Sequence, residues 1–196
     1  MSDIVSICVF CGSSEGNDAK FVDEALVLGE KLAQQNITLV YGAAKIGVMG
    51  KVAEGALMHK GKVIGVIPEF LKVKEVVHLG LTELITTTNM HERKMKMQNI
   101  SDGFIILPGG FGTLEELFEI ITWAQLGLHQ KPIGLLNVNG FYNHLLQLLE
   151  NMVRNGFLKT ENYELLLVAD TTDDLLKKMR KFEPMSVPKW LESDNV

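Results

Sequence analysis

A chain of 196 residues with 46% apolar content is long enough to bury one sizeable core, and the usual size of domains favours a single one. Its formal charge of −5 argues against a broad nucleic-acid or anionic-membrane surface, because both need a basic patch. No run is long and apolar enough to cross a bilayer, and Met1-Ser2-Asp3-Ile4 lacks the basic start of a secretory signal, so the expectations are a cytoplasmic location, no nucleic acid and no membrane.

Residues 4–10 form a near-continuous apolar run that reads as a buried strand. Cys8 and Cys11 make a C-x-x-C spacing, but Cys8 sits inside the strand and not at a helix start, and no second ligand pair accompanies it for zinc. A buried pair of small apolar residues is the expectation. Helical periodicity over 18–35 is followed by a strand at 37–41, a helix over 48–60 and a strand at 62–67. A marginal strand at 81–87 precedes a helix over 89–99, which Asn89 and Glu92 can open as a capping box. Then come a strand at 103–107, a helix over 114–126, a strand at 132–136, a helix over 141–154, a strand at 163–168 and a helix over 172–182.

This alternation predicts an α/β fold, a doubly wound, mostly parallel, Rossmann-like sheet with right-handed crossovers in a single domain. The domain is expected over 1–183, with an irregular tail at 184–196. Ligands of such sheets bind beyond the carboxyl ends of the strands. Three glycine-bearing loops qualify: Cys11 to Ser14, Tyr41 to Gly47, and Pro108 to Thr113. If strand 103–107 lies beside the first strand, the first and third loops flank the crevice where the strand order reverses.

Familiar loops can be excluded on spacing. Gly110-Phe111-Gly112-Thr113-Leu114-Glu115 has a carboxylate where the dinucleotide fingerprint needs its third glycine. Gly42 to Gly47 has Walker-like spacing, but Val48 and Met49 replace the lysine and hydroxyl residue. His91-Glu92-Arg93-Lys94-Met95 lacks the second histidine of a zinc helix. What remains is Pro108-Gly109-Gly110-Phe111-Gly112-Thr113-Leu114-Glu115-Glu116, a turn with three glycines opening a helix. Its freed amides and the helix dipole suit a monophosphate. Thr113 as N-cap with Glu116 three residues on can equally be an ordinary capping box.

This stretch resembles the P-G-G-x-G-T-x-x-E signature of the Lonely Guy family, the cytokinin riboside 5'-monophosphate phosphoribohydrolases formerly labelled possible lysine decarboxylases. Further blocks resemble the family in order: Val9 to Ser14, Gly47 to Gly50, Ile64 to Pro68, Met90 to Lys94, Ile121 to Gly127 and Lys131 to Asn137. The resemblance implies hydrolysis of the N-glycosidic bond of a nucleoside 5'-monophosphate, giving base and ribose 5-phosphate, with no metal and no organic cofactor. It implies that Arg93 and Glu116 are the catalytic pair. Glu75, Lys94, Gly109, Gly110, Phe111, Gly112, Thr113, Leu114 and Glu115 match its substrate contacts, and Thr122 matches a further binding position. A carboxylate beside the ribose can stabilise an oxocarbenium-like state, and an arginine can offset the acids and reach phosphate.

Thr122 lies nine residues beyond Thr113, about 13 Å along a helix, too far to share one phosphate within a chain. Leu114, Leu117, Phe118, Ile121 and Ala124 read as a core stripe, with Ile120 and Trp123 starting a second apolar face. A homodimer with the site near its interface is therefore expected. One departure from the family stands out, Tyr41-Gly42-Ala43 in place of Tyr-Gly-Gly, which puts a Cβ where close backbone approach to a ligand is expected. The alternative reading is a non-catalytic nucleotide- or molybdenum-cofactor-binding protein of the same fold.

Overall fold

The computed structural model describes residues 4–72 and 77–184. Glu75 and the tail from 185 to 196 lie outside the described residues. In chain order the elements are β1 (Ser6–Phe10), α1 (Ala19–Gln34), β2 (Thr38–Tyr41), α2 (Gly47–Met58), β3 (Val63–Pro68), the single turn α3 (Glu69–Lys72) and β4 (Glu83–Thr87). There follow α4 (Met90–Asn99), β5 (Gly103–Ile106), α5 (Phe111–Gln125), β6 (Ile133–Leu136), α6 (Asn143–Arg154), the single turn α7 (Thr160–Tyr163), β7 (Leu166–Ala169) and α8 (Thr172–Arg180).

Among the described residues seven strands form one parallel sheet, in the order β4-β3-β2-β1-β5-β6-β7. The chain winds outward from β1 to β4 and returns to place β5 against the other side of β1. The strand order therefore reverses between β1 and β5, and the loops beyond their carboxyl ends meet there. The pairing is anchored at the amino end by Asp102, whose carboxylate accepts hydrogen bonds from Val5 N at 3.0 Å and from Ser6 N and Oγ at 2.9 Å. At the other end Leu107 N donates to Phe10 O and Gly12 N to Pro108 O, both at 3.0 Å.

Both faces of the sheet are covered, which is why β1, β5 and β6 are buried at every position and almost wholly apolar. Leu28, Leu32, Val52 and Leu175 pack α1, α2 and α8 on one face. Met97, Leu117, Ile120 and Leu149 pack α4, α5 and α6 on the other. Among the described residues no helix is long and apolar enough to cross a membrane.

Two predicted elements start elsewhere. The strand expected at 163–168 is β7 at Leu166–Ala169, because 160–163 close a helical turn first and leave only the last part of the leucine run to pair with β6. The helix expected from residue 114 begins at Phe111. Its buried stripe also differs: Ile120 is 2% exposed and belongs to the core, whereas Phe118 is 39% exposed.

Candidate active site

The loop from β5 to α5 is held before the helix begins. Leu107 O accepts from Tyr142 Oη at 2.8 Å, and Pro108 O accepts from Gly12 N. A Cβ on Gly109 would run into the Thr113 side chain and lie 2.8 Å from Gly12 N, so this glycine serves packing between the two loops. Gly110, extended, is the N-cap of α5. The first helical hydrogen bond runs from Leu114 N to Gly110 O, and no side chain caps the turn. The amides of Phe111, Gly112 and Thr113 therefore face outward from the helix start, with the positive end of its dipole behind them. A Cβ on Gly110 or Gly112 would meet nothing within 4 Å.

The Thr113–Glu116 capping box does not form. Thr113 is the third residue of α5, 3% exposed against Gly109, and Glu116 lies a further turn in, aimed inward. Its partner comes from α4. Asn89 caps that helix by accepting from Glu92 N at 2.9 Å, while the Glu92 carboxylate accepts from Thr88 N at 2.8 Å, one residue earlier than in a standard box. Arg93, one turn in, donates from Nε to Val66 O of β3 at 3.1 Å and from Nη1 to Glu116 Oε1 at 3.4 Å. Both residues are buried, at 8% and 9% exposure.

Burial pushes the Glu116 carboxyl up to about 7; Arg93 opposes the rise, Glu115 adds to it, and Lys94 and Glu119 act in smaller opposite senses. Desolvation wins because the guanidinium is at the long limit of a hydrogen bond. The proton on Glu116 is thus poised near neutrality, as acid–base chemistry requires.

Arg93, Glu116, Gly110, Phe111, Gly112 and Thr113 line one cleft of about 310 Å³, closed on its far side by Gly12, Ser13, Gly42 and Met49. Wider hollows of about 550 and 950 Å³ lie at the amino ends of the strands, away from this pair and from the carboxyl-end crevice that serves ligands in such sheets. Lys94, Glu115, Leu114 and Thr122 do not line the cleft. The Lys94 ammonium bonds Glu115 and, at 2.9 Å, Glu119. Burial pulls its pKa down, yet those carboxylates outweigh it and hold the group above the ordinary lysine range. Thr122, exposed, donates to Phe118 O at 2.6 Å. Glu115 and Thr122 are exposed on α5, whereas Leu114 packs against the core.

Ala43 does not face the ligand space. It is fully buried, with φ +68°, and its methyl lies against Gly65 of β3. Gly42, its neighbour, is the residue at the cleft. Cys8 and Cys11 are free and buried, and burial raises both thiols well above their usual range. Met49, Leu71 and Met90 add apolar lining to the cleft, which nothing in the spacing of the sequence singled out.

Residues 49–179 match the family described as "Possible lysine decarboxylase". Over 180 residues the chain is 48% identical to cytokinin riboside 5'-monophosphate phosphoribohydrolase LOG4 of Arabidopsis thaliana, covering 91% of this chain and 83% of that protein. It is 47% identical over 176 residues to the probable cytokinin riboside 5'-monophosphate phosphoribohydrolase LOGL1 of Oryza sativa subsp. japonica, covering 90% and 79%. The chain belongs to the Lonely Guy family. Among solved structures, the molybdenum cofactor binding protein from Rippkaea orientalis superimposes with a TM-score of 0.69 at 23% identity, covering 92% of this chain and 98% of that one. The Chlamydomonas reinhardtii molybdenum cofactor carrier protein gives 0.67 at 18%, covering 91% and 98%. At these identities the likeness concerns the fold alone. Within the Lonely Guy signature, then, the three glycines divide: Gly109 serves the protein's own packing and Gly110 and Gly112 leave room at the cleft.

That division is testable with alanine variants read by denaturant unfolding and by equilibrium binding of AMP. Gly109→Ala should destabilise the fold by about 1–3 kcal/mol through overpacking. Gly110→Ala and Gly112→Ala should stay within about 1 kcal/mol of the parent and weaken AMP binding at least tenfold. Equal loss of stability in all three would refute the division.

Proposed function

We propose that the protein hydrolyses the N-glycosidic bond of a nucleoside 5'-monophosphate, a cytokinin riboside monophosphate or AMP, to free base and ribose 5-phosphate. The observation that carries this reading is the buried Arg93–Glu116 pair set beside the uncapped amides of α5. Those amides receive the 5'-phosphate, which places the ribose over Glu116 and the base along Met49, Leu71 and Met90. As the bond between C1' and the base nitrogen breaks, positive charge develops on the ribose ring, and the Glu116 carboxyl is the acid group placed to stabilise it or to guide the attacking water. Water supplies the oxygen that ends on C1' and the proton that ends on the base. Arg93 holds Glu116 in place and limits its affinity for the proton. The family relatives bear the name of this activity.

The outer face of α5 suits a second copy of the chain. Phe111 is 95%, Phe118 39% and Leu126 50% exposed, a run of apolar groups on one helix side and its end that a monomer leaves in water. In a homodimer built on this face, Lys94, Glu115 and Thr122 lie toward the partner's cleft and complete its site, which explains why they line none of their own. Glu75 is proposed as a substrate contact on the family resemblance. Sedimentation velocity should give a particle of twice the 21.8 kDa chain mass, and Phe118→Asp should return it to the monomer with loss of activity. A monomeric parent with full activity would rule the arrangement out.

The chemistry is tested by incubating the protein with AMP and with isopentenyladenosine monophosphate and following free base by chromatography. Base release is expected from at least one, reduced about 10²–10³-fold by Glu116→Gln, in line with removal of a key charge-stabilising group. Nucleotide binding without base release would sink the hydrolase reading and favour a carrier.

A further inference from the structure

We propose that Gly42 is a positioning residue for Arg93, a socket without a side chain in which the guanidinium sits. A Cβ at this position would overlap Arg93 Nη2 and come within 3.0 Å of Met49 Sδ. The backbone at Gly42 lies outside the left-handed region, so any residue could adopt it; space, not φ, calls for glycine there. The next position reverses the pattern. Ala43 has φ +68°, where glycine is favoured, and yet carries a methyl. Glycine therefore stands where the guanidinium needs room, and alanine where the backbone alone would prefer glycine.

The consequence is directional. A guanidinium is planar, so its orientation follows once two of its edges are fixed. Val66 O holds Nε at 3.1 Å, and the bare Cα of Gly42 lets Nη2 lie against β2's end. Nη1 is then aimed at Glu116. A methyl at position 42 turns the plane away and loosens the stronger of the two cations, Arg93 and Lys94, that hold down the proton affinity of Glu116.

The test uses Gly42→Ala, Arg93→Lys and the double variant, and its rate readout rests on the phosphoribohydrolase reading. For Gly42→Ala with AMP, kcat should fall about a hundredfold, the loss typical of a reacting group misplaced by an ångström, with KM changed less than about threefold. The pH limb of kcat/KM that reports Glu116 should move upward. Lysine has no Nη2, and the added Cβ lies 3.6 Å from Arg93 Cζ, so the same alanine in the Arg93→Lys background should change kcat/KM by less than about threefold. Should Gly42→Ala fail to fold, the double variant should fold and melt with Arg93→Lys. Should the protein release no base at all, a carboxyl titration of Glu116 by NMR replaces the rate, with the same upward move expected in Gly42→Ala. An unmoved titration, or an equal loss in both backgrounds, overturns the proposal.

Discussion

The site depends on a carboxyl group buried beyond what its cation can fully compensate. A guanidinium within close hydrogen-bond range normally holds a carboxylate ionised. Here Arg93 meets Glu116 at 3.4 Å, spends its Nε on a strand carbonyl, and leaves burial as the larger influence. Such a pair does little for stability. In the proposed reaction its value lies in keeping a proton near neutrality at the place where the strand order reverses.

The surrounding architecture follows from that requirement. β3 supplies the carbonyl that fixes Arg93, the end of β2 supplies the gap at Gly42, and α4 brings the arginine in one turn after its cap. From the other side, α5 offers Glu116 inward and free amides at its start. The Asp102 anchor and the contact between Gly12 and Pro108 keep β1 and β5 in the register that holds both loops together. Lys94 offsets part of the remaining charge by bridging Glu115 and Glu119, so that two further acids can stand near the uncapped amides of α5.

Much of this was legible in the chain itself, where the physics is local. Near-continuous apolar runs marked the doubly covered strands, and β4 read as marginal because it is the edge strand, with Glu83 and Leu84 exposed. The position of the crevice followed from β5 returning to β1. What failed was local reasoning at points where distant partners decide. Thr113 and Glu116 have capping-box spacing, but Arg93, 23 residues earlier, draws Glu116 inward, and Gly109 receives Thr113. Likewise Ala43 looked like an obstruction to the ligand, and only the approach of β3 shows its methyl turned toward Gly65. Gly42 could not be singled out, since its neighbour Arg93 is brought there by tertiary structure.

The most direct measurement is the denaturant stability of the parent and of Glu116→Gln between pH 4 and 8. An acid whose folded-state pKa is raised stabilises the fold below its unfolded value and loses that contribution as pH rises through the folded one. With Glu116 lifted from the usual 4.5 to about 7, the parent should lose about 3 kcal/mol relative to the glutamine variant across that interval. Parallel curves, or a parent that gains on the variant as pH rises, would mean that Arg93 holds an ordinary carboxylate and that the poised proton does not exist.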